Sequence, residues 1–328
     1  MELSIVTTLY KSSSYLEEFH RRASAVARRI AGESYEVIFV NDGSPDNSLE
    51  LAVSIADKDD HASVIDLSRN FGHHKAMMTG LAYANGKQVF LLDSDLEEEP
   101  EWLEDFHAHR GTQNADVVFG VQEKRKGNFA ERFSGYIYYR IFRALTGIDQ
   151  PDNIVTARLM TKQYVEALVA HKERELNIGG LWIITGFKQS SCVVHKNSSS
   201  PTTYSIPKKL AHLVNAITSF SNLPLQGVFY FGMGISVLSA IYVGMLVFRY
   251  LFLSAPPDGY TSLIASIWLL SGVILVAIGI QGIYLSKVFT EVKQRPYTIV
   301  KNIHGNLSCN RNDKPLGTTQ SIGPEATS

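Results

Sequence analysis

Cysteine is scarce in this chain of 328 residues, which holds only Cys192 and Cys309. Two thiols far apart in sequence and without metal-ligand spacing exclude a disulfide framework, and they suit a reducing compartment. An excess of charge is missing as well: 31 lysines and arginines face 32 aspartates and glutamates, which gives no electrostatic footing for nucleic acid. Met1 to Leu9 has neither the basic start nor the apolar length of a signal peptide, and Leu3 to Thr8 reads as a first strand. His73 and His74 have no third ligand at a useful spacing, so a zinc site is not expected.

Charge is also missing locally. Leu223 to Phe248 and Thr261 to Ser286 carry no Asp, Glu, Lys or Arg, and each exceeds the ~20 residues that carry a helix across a ~30 Å hydrocarbon layer. The alternative, a buried helical hairpin in a soluble core, calls for shorter helices with some charge on a face. Lys208 and Lys209 precede the first stretch and Lys287, Lys293 and Arg295 follow the second, while the connection from Ala255 to Gly259 has no cation. Arg249, at the edge of that connection, opposes the trend. The positive-inside rule then puts both chain ends in the cytoplasm, with a short turn outside.

The first half alternates β and α in the manner of a parallel sheet flanked by helices. Strands are expected at Leu3 to Thr8, Glu36 to Val40, Ser63 to Asp66, Gln88 to Leu92 and Asp116 to Gly120. Tyr15, Leu16, Phe19, Ala23, Val26 and Ile30 keep helical spacing, Ser14 with Glu17 forms a capping box, and Ser44-Pro45 and Glu99-Pro100 place proline in first helical turns. Phe129 to Leu145 and Pro207 to Leu223 read as further helices. The second carries Leu210, Leu213, Val214, Ile217 and Phe220 on one side and suits either the membrane interface or a core. After Lys301 the composition turns polar and the tail is expected to be disordered. The division is a soluble domain over 1–205, an interfacial helix over 206–223, a transmembrane hairpin over 224–287 and a tail over 288–328, largely disordered after 305.

Chemistry concentrates in Asp93-Ser94-Asp95-Leu96-Glu97-Glu98-Glu99-Pro100-Glu101, which follows an apolar strand. Residues i and i+2 leave an extended chain on one side, so Asp93 and Asp95 converge. Carboxylates that close repel unless a proton or cation lies between them, which points to a divalent metal serving a phosphate. Glu97 is a candidate third ligand, whereas Glu98, Glu99 and Glu101 read as an acidic helix start. Open sheets bind ligands beyond the carboxyl ends of their strands, where Asn41-Asp42-Gly43-Ser44 also falls. Asp42 has an alternative there as an Asx-type turn residue.

Tyr10, Asn41-Asp42-Gly43-Ser44, Arg69-Asn70-Phe71-Gly72-His73 and the Asp93 cluster, in that order and followed by paired apolar stretches, resemble the family 2 inverting glycosyltransferases of GT-A-type fold. The likeness runs from about Leu3 to Lys301 and is greatest to the polyprenyl-phosphate sugar transferases. It implies a nucleotide sugar as donor, undecaprenyl phosphate as acceptor and Mg²⁺ or Mn²⁺ as cofactor. It further implies donor contacts from Thr7, Tyr10, Asp42, Lys75, Asp93, Ser94 and Asp95, with Asp95, Asp93 and Glu97 at the metal. Asp95, Arg125 and Arg158 would act in catalysis, and Arg132, Tyr204 and Lys208 on the acceptor. UDP-hexose is the donor that the bacterial members suggest, and a homo-oligomer is left open.

The chain also departs from that pattern. Glutamates replace the glutamine, third aspartate and first proline of Asp-x-Asp-x-Gln-Asp-Pro-Pro-Glu, and Tyr10-Lys11-Ser12 replaces Tyr-Asn-Glu. Thr156-Ala157 stands where an aspartate precedes Phe-Arg, so no general base carries over; a phosphate, already ionised near neutral pH, needs little deprotonation. The Arg-x-x-Gly-x-Ser-Lys-Tyr segment becomes Asn197 to Tyr204, with Lys196 upstream. A lipid-linked saccharide acceptor, or a catalytically silent membrane scaffold, are the competing readings.

Overall fold

A computed structural model of the protein describes residues 1–122, 140, 143–147, 151, 153–174, 177–196, 214–215, 217–253 and 259–307. The described residues of 1–139, 148–203 and 294–307 form one compact unit, and those of 140–147 and 204–293 a second.

The first unit is an open eight-stranded sheet. Its elements are β1 (Leu3–Leu9), α1 (Leu16–Ala31), β2 (Tyr35–Asn41), α2 (Ser48–Ala56), β3 (Ala62–Leu67), α3 (His73–Tyr83), β4 (Gln88–Leu91), α4 (Trp102–Gln113), β5 (Val117–Gln122), β6 (Ile154–Thr161), α5 (Lys162–Val169), α6 (Ile178–Ile184) and β7 (Gln189–Val194). The strand order is β7-β5-β6-β4-β1-β2-β3-β8, where β8 (Val300–Gly305) joins from beyond the second unit. β1 pairs in parallel with β2 and β4, β2 with β3 and β5 with β7, while β6 and β8 run antiparallel to their neighbours. β1, β2 and β3 are buried along their whole length and mainly apolar, as strands covered on both faces are, with Ser4 and Glu36 bonded to each other inside.

Leu16, Phe19, Ala23, Val26 and Ala27 of α1, with Ala52 of α2 and Leu103 and Phe106 of α4, pack on Ile5, Val37, Phe39, Val64 and Phe90. Each of the large side chains contributes about 1.5–3 kcal/mol by leaving water. The alternate residues of the same strands meet α3, which comes so close that a Cβ on Gly80 would lie 2.5 Å from Val6. This α/β layering is the expected fold class.

Local expectations at helix starts fare less well. α1 has no side-chain cap, its N-cap is Tyr15, and Tyr15 is exposed, so Ser14 and Glu17 form no capping box. The entry is fixed instead by backbone bonds, Tyr15 N–H to Ser12 O and Phe19 N–H to Tyr15 O. Pro45 and Pro100 lie in turns before α2 and α4 rather than in their first turns. Lys301 to Gly305, polar enough to read as disordered, is an edge strand, because pairing with β3 satisfies backbone groups that composition does not report.

In the second unit, α7 (Leu223–Leu253) and α8 (Tyr260–Val292) touch each other. Lys287 Nζ of α8 reaches Asn215 Oδ1 and Ser219 Oγ at 2.7 Å each, and Tyr284 Oη donates to Ser221 O at 2.6 Å. Residues 214–215 and 217–220 are helical, with Ile217 buried and Val214 exposed. Leu210, Leu213 and most of Phe129 to Leu145 lie outside the described residues. Within α8, Leu269–Val292 is long and apolar enough to cross a membrane and none of it is buried; Leu223–Ser239 is a shorter apolar stretch. At 1.5 Å per residue the longer one covers about 36 Å.

One glycine couples fold to site. Gly43, just after β2, has φ +59°, and a Cβ there would lie 2.5 Å from Asn70 N and 2.6 Å from the Arg69 carbonyl carbon. Gly43→Ala is expected to lose about 2–5 kcal/mol from the left-handed backbone and the clash together. Thermal unfolding of the purified protein measures it, and an unchanged midpoint refutes the close approach.

Candidate functional site

The loops after β1, β2, β3 and β4 meet beyond the carboxyl ends of those strands, and buried polar side chains knit them. Ser94 Oγ donates to Thr8 O at 2.9 Å and lies 2.9 Å from Ser12 Oγ. Ser12 N–H reaches Ser48 Oγ at 3.0 Å, and Lys11 N–H reaches Ser44 Oγ at 2.7 Å. Both hydroxyls turn to Asp46 Oδ1, at 2.6 Å from Ser48 and 2.5 Å from Ser44. Burial disfavours the Asp46 charge, but its bonds with Ser44, Ser48 and Ser13 prevail and hold the carboxyl far below the usual range.

Asp42 is buried, and its two oxygens accept from Phe71 N–H at 2.7 Å and Gly72 N–H at 3.0 Å. Burial raises its pKa despite both bonds. The carboxylate thus fastens the end of β2 to the turn that opens α3. Asn41 is the residue that caps the turn, accepting from Ser44 N–H at 3.2 Å, while its amide donates to Asp66 Oδ1 at 2.8 Å.

The acidic segment after β4 is not extended: a turn begins at Ser94, and Leu96 takes φ +58°. A leucine tolerates that strained backbone because its side chain packs against the core. Asp93 lies half-buried, with Oδ1 3.2 Å from His73 Nε2 and Oδ2 accepting from Thr156 Oγ1 at 3.0 Å. Burial alone would raise its pKa, but His73 and Thr156 bring it below the usual range. His73 is fixed on its other side by Thr8 Oγ1, 3.0 Å from Nδ1. Burial works against the charged imidazole, yet the contact with Asp93 and the charges of Asp42 and Asp95 outweigh it and raise its pKa.

Asp95 is exposed, and Oδ1 accepts from Glu97 N–H at 3.0 Å. Surrounding protein raises its pKa, and the charges of Asp93 and Glu97 add to the rise. Glu97 pairs with Lys196, Oε2 to Nζ 3.2 Å. Glu98 is fully buried and accepts from Thr156 N–H at 2.9 Å; burial, then the Asp93 charge, push its pKa to about 8. It is therefore no surface complement to a helix dipole. Glu101, the N-cap of α4, makes a paired contact with Arg22.

Tyr10 is exposed beside the site, under the Lys11 ammonium at 5.8 Å, and Lys75 lies half-buried in the first turn of α3. Ser94 is present but buried, its hydroxyl spent on the β1 loop. Thr7 is fully buried within β1 and is not brought out with Tyr10. Arg158 is likewise inside: its guanidinium stacks 3.0 Å over the Trp182 ring, Nε donates to Thr156 O at 3.2 Å, and burial lowers its pKa to about 9. It offers no charge at the surface. Arg125, Arg132, Tyr204 and Lys208 lie outside the described residues.

Sequence reasoning assigned no role to Thr8, to His73 as partner of Asp93 or to Thr156 as the link between two carboxylates, and it read Glu98 as part of an acidic helix start. Lys196 carried only a signal of position. In a run of three glutamates nothing but the turn decides which one faces inward.

Among the described residues no group of three or more His, Cys, Asp or Glu side chains is set to hold a metal. A hard divalent ion needs less, since magnesium sites commonly take one or two carboxylates and complete themselves with phosphate and water. Two oxygens fit that description. Asp95 is exposed and carries a pKa raised first by the surrounding protein and then by its acidic neighbours, and Asp93 Oδ1 is buried 3.2 Å from the His73 ring.

The sequence matches the Glycosyl transferase family 2 pattern over residues 4–169. A Mycobacterium tuberculosis protein named only by its class, the glycosyltransferases, is 50% identical over 97% of this chain and 93% of its own length. The Bacillus subtilis glycosyltransferase YkcC is 32% identical over 93% of this chain and 95% of its own length. The undecaprenyl-phosphate 4-deoxy-4-formamido-L-arabinose transferase of Pseudomonas paraeruginosa is 29% identical over 92% of this chain and 90% of its own length.

The His73–Asp93 pair gives a pH signature. Because the folded state raises the His73 pKa above 6.5, its stabilisation is complete below that value and is lost as pH rises through the raised one. The drop in unfolding midpoint caused by His73→Gln is therefore expected to be larger at pH 6 than at pH 9. Equal drops would show that the pair carries no charge-dependent stability.

Proposed function

Since the chain belongs to glycosyltransferase family 2, we propose that it moves a sugar, by inversion, from a nucleotide sugar of the UDP-hexose kind onto undecaprenyl phosphate at the cytoplasmic face of a bacterial membrane. The observation that carries this reading is the arrangement after β4. Asp95 stands exposed at the carboxyl edge of the sheet, bonded to the Glu97 amide of its own turn, while Asp93, Glu97 and Glu98 are each engaged by groups from other elements. Asp95, with Asp93 behind it, would hold Mg²⁺ or Mn²⁺, which when bound supplies positive charge to the departing diphosphate.

The protein's own groups account for the rest. Tyr10 offers an exposed ring for the base, Asp42 holds the loop beneath it, and Lys75 at the start of α3 places a cation and helix N–H groups where phosphate is favoured. An acceptor oxygen attacks the anomeric carbon from the side opposite the diphosphate, the old carbon–oxygen bond breaks, and the nucleoside diphosphate leaves with the electron pair. Thr156 occupies the place of the family's aspartate and gives its hydroxyl to Asp93. A phosphate monoester, already ionised, needs no base there, which favours a lipid phosphate over an alcohol. Arg125, Arg132, Tyr204 and Lys208 are the proposed contacts for phosphate and acceptor.

Chain connectivity supports two membrane crossings. β7 leads into the second unit and β8 returns to the same sheet, paired with β3. A chain that leaves and rejoins one folded body on one side of a bilayer must cross it an even number of times. If α8 spans, α7 spans too, and Lys287, Lys293 and Arg295 then lie at the cytoplasmic end of α8.

Detergent-solubilised protein incubated with labelled UDP-sugars, Mn²⁺ and undecaprenyl phosphate is expected to form labelled lipid. The product should vanish with EDTA and fall on the order of 10²–10³-fold in Asp95→Ala. Label transferred only to a lipid-linked saccharide would replace the acceptor, and nucleotide binding without turnover on any acceptor would defeat the reading.

A further inference from the structure

The acidic loop after β4 answers to a cation that its own segment does not supply. Lys196 stands two residues beyond β7, which is the edge strand of the sheet, and reaches Glu97 Oε2 at 3.2 Å and Glu98 Oε1 at 3.8 Å. Its side chain and that of Glu97 are each mostly shielded, at 20% and 16% exposure, and Glu98 is at 0%, so the charges meet with little water between them.

Building on the function proposed above, we infer that Lys196 is a positioning residue that masks Glu97 and thereby sets how tightly the site holds its divalent cation. Glu97 stands two residues from Asp95 and would, unpaired, add its charge to the two aspartates. A site with that extra carboxylate binds a divalent cation more tightly, and a cation held too tightly slows release of the nucleoside diphosphate bound with it. Lys196 removes the surplus by drawing the Glu97 carboxylate to itself. Charge on Lys196, rather than contact with the donor, produces the effect, which therefore belongs to the Lys196–Glu97 pair.

The test titrates Mn²⁺ into the full-length, detergent-solubilised protein with and without UDP, reading bound ion by electron paramagnetic resonance. Lys196→Met keeps the aliphatic stem and deletes the charge; it is expected to tighten UDP-dependent Mn²⁺ binding roughly tenfold, the size one partly screened charge gives. Glu97→Gln, which leaves the ammonium unopposed, should weaken it by a similar factor. The double variant should return to the wild-type value, and Lys196→Arg should match wild type throughout. Lys196→Met that leaves Mn²⁺ affinity unchanged, or that weakens binding of UDP alone without rescue by Glu97→Gln, overturns the inference and leaves the function standing. Wild-type protein that binds no Mn²⁺ with UDP overturns both.

Discussion

Carboxylates gathered on one short turn repel, and the way this protein distributes partners among them determines what the site presents. Asp93 receives His73 and the Thr156 hydroxyl, Glu98 the Thr156 amide, and Glu97 the Lys196 ammonium. Each partner comes from a different element: α3, β6 and the end of β7. The turn therefore cannot form with its present charges unless the sheet has already brought those elements together. Asp95, engaged by the Glu97 amide of its own turn, is the carboxylate left facing outward. The charge that the turn presents is thus a property of the whole sheet rather than of the motif.

A comparable dependence links the sheet to the second unit. The antiparallel pairing of β8 with β3 requires residues on both sides of the two long helices to belong to one body. That constraint is the one on which the proposed pair of crossings rests, and it is independent of any count of apolar residues. Edge positions suit this connection, since β7 and β8 close the two edges of the sheet and the chain departs after one and returns at the other.

Legibility in the sequence followed the strength of periodic signals. β1 to β5 and the helices between them stand where apolar runs and helical spacing put them, because each buries a continuous face. β6, β7 and β8 escaped notice: Arg158, Cys192 and Lys301 interrupt their patterns, and pairing across the sheet decides their state. The motifs were legible as positions, not as roles. Asp42 was visible, but its bond to the Phe71 and Gly72 amides depends on a loop 29 residues away. In the run from Glu97 to Glu99 the left-handed Leu96 rotates Glu98 inward, and no local propensity announces a strained leucine.

Arg158 illustrates how a residue can matter to such a site without touching it. A guanidinium sealed inside a sheet is costly unless its charge is met. Here the Trp182 ring supplies its π face, an interaction worth about 2 kcal/mol or more when water is excluded. Arg158 Nε then donates to the Thr156 carbonyl, while the amide and hydroxyl of the same threonine hold Glu98 and Asp93. Trp182, Arg158 and Thr156 form a continuous support from α6 through β6 to the acidic turn. The arginine's rigid fork fits that duty, because a flexible ammonium would not hold one backbone carbonyl in a fixed plane. Its position in β6 therefore supports Thr156, and through Thr156 the placement of Asp93 and Glu98.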